Sequence, residues 1–178
     1  MKANAKKETI YVNIIMLVVF FFAFLGTEYL FDNCMMYVTD ASGVVRAQNQ
    51  MLGVSAIGFL LYNWISGFLA DKSPWVTGGT GLLAFGVGAG CMGCIILHAG
   101  YVQMMIAGGV LFFLLGVLGA GVHYRMAYSV YDRAMLARCV GFAYAGGIFL
   151  QFLNNNMIHE NHTQAVALCA GAGYLLFV

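Results

Sequence analysis

Charged residues are scarce in this sequence. Only 8% of its residues are Asp, Glu, Lys or Arg, whereas 62% are hydrophobic, and a soluble globular domain contains roughly 25% charged residues. A soluble fold of this size would have to expose apolar side chains over nearly its whole surface. The composition therefore indicates a membrane protein that has the lipid bilayer as its main surroundings.

Three further absences exclude classes of function. The net charge of +1 provides no concentrated basic face, so we expect no nucleic-acid binding by this chain. The five cysteines are odd in number and lie mostly within apolar runs, which gives no disulfide framework. No nucleophile, base and orienting group recur together, and no ligand set predicts a metal or a cofactor, so we expect no enzyme.

Long apolar runs are what the sequence has instead. Runs of about 20 apolar residues can cross roughly 30 Å of hydrocarbon as helices, and the alternating polarity of barrel strands is absent. The predicted spans are about 10–38, 49–70, 75–97, 103–125, 139–157 and 162–178. We interpret residues 1–178 as one all-α transmembrane domain, a six-helix bundle whose sixth helix is incomplete.

The basic residues predict an orientation, because cytoplasmic loops retain Lys and Arg. With the N-terminus inside, Arg46 is the single basic residue outside. The seven inner ones are Lys2, Lys6, Lys7, Lys72, Arg125, Arg133 and Arg138. We expect a multi-pass protein of the cell (inner) membrane with a cytoplasmic N-terminus.

The turn between the second and third spans, "GFLADKSPW", holds Gly67, Asp71 and Lys72. A Gly-x-x-x-Asp-Lys/Arg turn at this place resembles the signature loop of the major facilitator superfamily. The segments "QNQMLGVSAIGFLLYNWISGFLADK" and "YDRAMLARCVGFAYAGGIFLQF" resemble the superfamily's second helix with its loop and its basic link into the fifth helix. The resemblance covers about residues 17–153.

This resemblance implies the N-terminal six-helix half of a secondary transporter, which moves a small solute by alternating access together with a C-terminal six-helix half. It also implies that the turn acts as a gating loop. Lys72 also marks the inner, cytoplasmic side of the membrane. Gly67 would allow close helix approach, while Asp71 would cap a helix and pair with basic residues to hold one gating state.

The sequence departs from the superfamily pattern in three places. The superfamily loop usually continues after Lys72 with x-Gly-basic-basic, where this sequence has Ser73, Pro74, Trp75 and Val76. The fourth helix also lacks its intramembrane Arg, and the fifth lacks the Gly-Pro signature of antiporters. Antiport is therefore not supported. An alternative keeps the fold as a transport-inactive membrane sensor domain of a regulatory protein. An unrelated six-helix protein would be preferred if helices 1–3 and 4–6 lacked inverted-repeat symmetry.

The strongest chemistry lies in the first helix, where Glu28 and Asp32 are one turn apart and share a face. Carboxylates inside a span cost about 3 kcal/mol each on insertion scales and usually face a cavity. The stretch "LFDNCMMYV" is also similar to the first-helix signature of drug:proton antiporters, with Asp32 at its acidic position. We expect this pair to bind the solute or couple protons, which suits proton symport or a cationic solute. The alternative places both carboxylates in water at the outer mouth.

Weaker candidates complete the set. Tyr62 and Asn63 in the second helix, and Gln151 and Asn155 in the fifth, are candidate cavity-lining residues, although such groups also bond neighbouring helices. Glycines crowd the third and fourth helices and predict close helix packing there. Gly86 and Gly90 form one small-x-x-x-small pair in the third helix.

Overall fold

The computed structural model describes the backbone of residues 2–130 and 132–177, and the side chains of residues 9–130 and 132–177. The described chain forms six helices: α1 (Lys2–Met35), α2 (Ala41–Ala70), α3 (Pro74–Ile96), α4 (Tyr101–Ser129), α5 (Arg133–Met157) and α6 (Asn161–Phe177). Five of them, α1 to α5, are long and apolar enough to cross a membrane. The 17 residues of α6 fall short of the roughly 20 needed. The chain is an all-helical, multi-pass membrane protein, as its composition predicts.

The surface of the bundle is apolar over much of its area. Leu60, Trp64 and Phe142 are 76%, 77% and 75% exposed. Side chains of this size would create an aggregating surface in water, but they contact acyl chains favourably in a bilayer. The composition of these exposed faces therefore suits contact with lipid.

Polar caps extend α2 beyond its predicted span. The helix begins at Ala41 rather than at Asn49, because the carboxylate of Asp40 accepts a hydrogen bond of 2.8 Å from the amide of Gly43. This bond satisfies one of the backbone donors that the first turn of a helix leaves free. A search for apolar runs misses such polar first turns.

The other helix ends differ from the predicted spans for similar reasons. Helix α5 begins at Arg133 rather than at residue 139, because Asp132 accepts a 2.9 Å bond from the amide of Ala134. Helix α1 ends at Met35, and the next three residues form a turn. Some parts of the predicted spans and inner basic residues lie outside the described structure. They are the side chains of Lys2, Lys6 and Lys7, and all of Tyr131 and Val178.

Asp40 supplies a testable contribution to stability. The amide of Gly43, and then the hydroxyl of Ser42, hold the pKa of its carboxyl below the usual value of 3.8. A lowered folded-state pKa stabilises the fold above pH 3.8, and that stability is lost as pH falls through the lowered pKa. We expect Asp40→Ala to lower the thermal unfolding temperature near neutral pH and to differ progressively less from wild type in acid. Asp71→Ala, which removes an exposed carboxylate without a capping bond, is the control; an equal loss in both variants would contradict the capping role.

The packing of the bundle is centred on α1 and α4. Helix α1 contacts all five other helices, and α4 contacts α1, α2, α3 and α6. Helix α2 lies along α4, and α5 lies along α1. Among neighbours in sequence, α3 packs extensively on α4 and α1 packs weakly on α2. In the described residues, α2 with α3, α4 with α5, and α5 with α6 share no extensive contact.

The main packing pattern of the first three helices recurs in the last three. Helix α2 packs on α4 as α5 packs on α1, and α6 packs on α1 as α3 packs on α4. Helix α1 also meets its counterpart α4, and α3 meets its counterpart α6. Only a weaker contact of α1 with α2 lacks an equivalent between α4 and α5.

Two apolar clusters fill the interior. One joins α1, α2, α3, α4 and α6 around the rings of Phe31 and Phe112, whose centroids are 5.8 Å apart. The other joins α1, α4, α5 and α6 around Met16 and Met126 at the opposite end of the bundle. The two clusters bury one face of α1 from Met16 to Met35, whereas Tyr11 and Ile15 are exposed and Glu28 is half-buried.

Glycine brings α2 and α4 into backbone contact. A methyl group at Gly116 would overlap the carbonyl oxygen of Ser55, and one at Gly58 would overlap the carbonyl oxygen of Phe113. The glycines of α4 therefore allow the close approach that the sequence predicts.

The prediction of close packing at Gly86 and Gly90 of α3 is wrong for the described chain. A methyl group at either position would meet no atom within 4 Å. Helix α3 instead packs through Gly88, Met92 and Ile95, which are its buried residues. The Gly86–Gly90 stripe lies on a different face of the same helix, which no described helix covers.

Candidate functional site

The two carboxylates of α1 lie within the last turns before the helix ends at Met35. Glu28 and Asp32 are half-buried, whereas Thr27, Leu30 and Phe31 on the neighbouring faces are buried. The helical spacing thus puts both acidic groups on the side of α1 that the apolar clusters leave open.

Both carboxylates line one pocket of about 340 Å³ between α1, α2 and α5. Helix α2 contributes one polar side chain to it and α5 contributes two. The five polar residues of the pocket are Glu28, Asp32, Gln48, Gln151 and Asn155. The structure therefore brings together four residues that sequence analysis singled out on separate helices, and it adds Gln48.

The remaining walls of this pocket are apolar or aromatic. They are formed by Leu25 and Tyr29 of α1 and by Tyr144 and Ile148 of α5. The ring of Tyr144 packs edge-on against Phe21, with centroids 5.1 Å apart. Such a contact fixes the ring in place and gives the pocket a defined side wall.

Two hydrogen bonds organise the polar groups. Gln48 donates from Nε2 to Oε1 of Glu28 at 2.7 Å, which ties α2 to α1. Gln151 donates from Nε2 to Oδ1 of Asn155 at 2.9 Å along α5. Each bond uses one of the two N–H donors of its glutamine side chain and leaves the carboxamide oxygen of that glutamine as an acceptor.

Two buried oxygens in the pocket have no donor among the described residues. They are Oδ1 of Asp32 and Oε1 of Gln151. The side chain of Gln151 is only 8% exposed. A buried acceptor without a partner is unfavourable by about 1–3 kcal/mol, so both atoms are suited to a donor from a bound molecule.

Gly26 makes room for Gln151 beside α1. A methyl group at this position would overlap the side chain of Leu168 and would lie 2.7 Å from Oε1 of Gln151. Any larger residue at Gly26 would therefore displace the carboxamide that closes the pocket on the α5 side.

The lining of the pocket contains no Lys, Arg or His. Arg46, the basic residue nearest in sequence to Gln48, donates instead to Oγ of Ser42 one turn earlier in α2. The pocket consequently holds two acidic groups with no fixed positive charge to balance them.

Two further carboxamides are buried at the same end of the bundle. Asn154 and Gln164 are each 5% exposed. Gln164 donates to the carbonyl of Ile158 at 2.6 Å, while its oxygen and both polar atoms of Asn154 lack partners among the described residues. A polar layer therefore continues from the pocket toward α6.

The residues of the turn between α2 and α3 make few contacts within the described chain. A methyl group at Gly67 would meet nothing within 4 Å, so no close helix approach occurs there. Asp71 lies at the C-terminal cap of α2 and makes no side-chain bond within the described chain. Lys72 places its ammonium 4.8 Å from the ring centroid of Phe68. Ser73 is the N-cap residue of α3 and makes no side-chain capping bond.

The two candidate residues of α2 lie away from the carboxylates. Tyr62 lines a separate, mainly apolar pocket of about 640 Å³ between α2, α3 and α6. Asn63 is exposed on the surface of α2. Of the four predicted cavity residues, only Gln151 and Asn155 therefore join Glu28 and Asp32.

Sequence analysis missed Gln48, Tyr29 and Tyr144. Gln48 falls one residue before the predicted second span, which began at Asn49, so the early start of α2 would have revealed it. The two tyrosines carry no signal of their own, because aromatic residues are spread through every apolar run of this chain.

Comparisons of the chain with family models, with curated proteins and with solved structures gave no match. The molecule that the structure describes is a multi-pass helical membrane protein. Its most distinctive chemical feature is the pocket of carboxylates and carboxamides between α1, α2 and α5.

Proposed function

We propose that this chain is the N-terminal six-helix half of a secondary transporter of the major facilitator type, which moves a small solute by alternating access. The observation that carries the proposal is the pocket that contains Glu28 and Asp32. Acidic groups inside a membrane span are costly and are retained where they serve binding or proton transfer. Three helices contribute polar side chains to one cavity here, which is how helical bundles build ligand sites.

The recurrence of packing between α1–α3 and α4–α6 supports this proposal. Each half of a major facilitator transporter is built from two three-helix repeats of inverted topology. The matched pairs, α2 on α4 with α5 on α1, and α6 on α1 with α3 on α4, follow that arrangement. An unrelated six-helix protein has no reason to repeat its contacts in this way.

Asp32 and Glu28 are suited to different roles in binding the solute or transferring a proton. Oε1 of Glu28 is held by Gln48, whereas Oδ1 of Asp32 has no donor within the described chain. We propose that Asp32 carries the exchangeable proton or contacts the solute, while Glu28 orients the site.

The proposed orientation places the N-terminus in the cytoplasm of the cell (inner) membrane, so the pocket faces the outer half of the bilayer. The second six-helix half would complete the pathway across from α1, α2 and α5. Saturable uptake by the purified chain of 178 residues alone would contradict the need for that half.

The test is accumulation of labelled small solutes in vesicles that carry the whole gene product, with and without an imposed proton gradient. The proposal predicts uptake of at least one solute above protein-free vesicles, and collapse of accumulation when the gradient is dissipated if protons are coupled. Correctly folded protein without flux of any solute in a pooled screen would contradict transport.

A second candidate function is a membrane sensor domain with the same fold, in which ligand binding alters an attached regulatory domain. The turn between α2 and α3 favours this alternative. Asp71 has no charged partner within the described chain, whereas the gating loop of the superfamily needs its Asp to pair with basic residues. Binding without flux in the vesicle experiment would support this alternative.

The turn gives a quantitative test. We expect Asp71→Asn to change uptake by no more than about twofold, since exposed side chains without partners contribute within about 0.5 kcal/mol. Initial rates in vesicles, normalised to protein content, would measure it. A loss of more than about tenfold would show that Asp71 finds a partner in another conformation and that the gating loop works as in the superfamily.

A further inference from the structure

We infer that the pocket between α1, α2 and α5 binds a protonated amine, meaning an organic cation that carries N–H donors. This inference rests on the proposed function, because it takes this pocket as the place where the solute binds. It goes further in naming the chemical class of the solute. The polar residues and walls of the pocket each limit what can fit.

Charge is the first limit. Glu28 and Asp32 line the pocket, and none of its lining residues is basic. An anionic solute would meet two like charges, and a neutral one would leave the carboxylates without compensation in a partly buried place. A single positive charge beside Asp32 balances the carboxylate that the described chain leaves without a donor.

Hydrogen-bond polarity is the second limit. Oδ1 of Asp32 and Oε1 of Gln151 are buried acceptors without donors, and Gln151 is more than nine-tenths buried. An ammonium group has three N–H donors and no acceptor. A quaternary ammonium has the same charge but no donor, so it would leave both oxygens unsatisfied.

The walls indicate what the rest of the solute looks like. Tyr29 and Tyr144 face the pocket with Leu25 and Ile148. Aromatic faces attract cations and also pack against apolar groups. An amine with a short apolar or aromatic substituent therefore matches both the acidic groups and the walls.

A divalent metal ion fits less well. Calcium requires six to eight oxygen ligands, and magnesium a nearly octahedral set. Within residues 9–130 and 132–177, no three His, Cys, Asp or Glu side chains are grouped closely enough to hold a metal. The two carboxylates suit one organic cation better than a bare ion.

The experiment measures equilibrium binding to the purified full chain in lipid nanodiscs by calorimetry, near neutral pH and at constant ionic strength. The probes are phenethylamine and methylamine, with three matched compounds: phenethyl alcohol, 3-phenylpropanoate and phenethyltrimethylammonium. We expect phenethylamine to bind at least about tenfold more tightly than each matched compound, because donors to a charged acceptor are worth about 1.5–3 kcal/mol. Equal binding of the alcohol, the carboxylate or the quaternary ion, or binding of neither amine, would overturn the inference.

Variants locate the site. Asp32→Asn should weaken phenethylamine binding by at least about tenfold, whereas Glu160→Gln, which removes a carboxylate outside the pocket, should not weaken it. Gln151→Met should also weaken binding, because it removes an oxygen that has no partner in the free chain. It removes the Nε2 bond to Asn155 as well, so its affinity is measured on protein shown to be folded. Unaltered amine affinity in Asp32→Asn or in Gln151→Met would show that the amine binds elsewhere.

The same measurements separate this inference from the proposed function. Amine binding without flux by the whole gene product would sustain the inference and contradict transport. Flux of a neutral or anionic solute, lost in Asp32→Asn but without amine binding, would sustain transport and overturn the inference.

Discussion

Asp32→Asn is expected to abolish accumulation of the transported solute. The substitution keeps the size of the side chain but removes its charge and its capacity to exchange a proton. Oδ1 of Asp32 is buried without a donor, so the loss falls on the group that the structure leaves free to act. Loss of one hydrogen bond to a charged group corresponds to about 1.5–3 kcal/mol, or at least about a tenfold fall in affinity. Loss of proton coupling would remove accumulation altogether.

Glu28→Gln should have a smaller effect than Asp32→Asn. Its carboxylate already accepts from Gln48 at 2.7 Å, so the change loosens the pocket without removing the free acidic group. The measurement is initial uptake and steady-state accumulation in vesicles, normalised to folded protein. Glu160→Gln serves as the control for charge at the same end of the bundle. Full accumulation by Asp32→Asn would refute the assignment of this pocket.

The second large effect is expected from Gly116→Val, which should prevent correct assembly of α2 on α4. A side chain at Gly116 would overlap the carbonyl oxygen of Ser55, and a backbone atom cannot swing aside as a side chain can. Overpacking usually destabilises by about 1–3 kcal/mol, and backbone contact places this change at the upper end. We expect a sharply lower yield of monodisperse protein and a lower unfolding temperature.

Gly86→Val is the matched control, because a Cβ atom at that position would meet no atom within 4 Å. Its unfolding temperature should equal that of wild type within the error of a thermal melt in detergent. Similar losses in both variants would mean that the Gly86 face is covered by something outside the described chain. Wild-type stability of Gly116→Val would contradict the close α2–α4 contact.

The number and class of the helices follow from the sequence because lipid admits few solutions. Every backbone group must be paired inside the membrane, so long apolar runs become helices. The ends were predicted less well, because Asp40 and Asp132 add polar first turns that apolar windows do not include. Caps depend on single residues, whereas spans depend on composition over about 20 residues.

Half of the candidate site was predictable, since Glu28 and Asp32 share a helix and their spacing fixes a common face. Their position in one pocket with Gln151 and Asn155 could not be predicted, because it depends on how α5 packs along α1. The glycines of α3 also show that helix contacts depend on the packing of the whole bundle. A small-residue pair such as Gly86 and Gly90 permits close packing, but which helix faces it is a property of the whole bundle.

The packing of the first two helices on helices that come late in the sequence has a consequence for biosynthesis. Helix α1 is made first, yet its extensive partners α4, α5 and α6 are made last. A nascent chain that has reached only α3 lacks the surface on which α2 rests and the α5 wall of the pocket. At that stage Glu28 and Asp32 lack Gln151 and Asn155 of α5, which line the pocket with them in the complete fold. The packing of α2 on α4 and of α5 and α6 on α1 is therefore a late event in assembly, because pairing of distant segments must wait until the later helices are made.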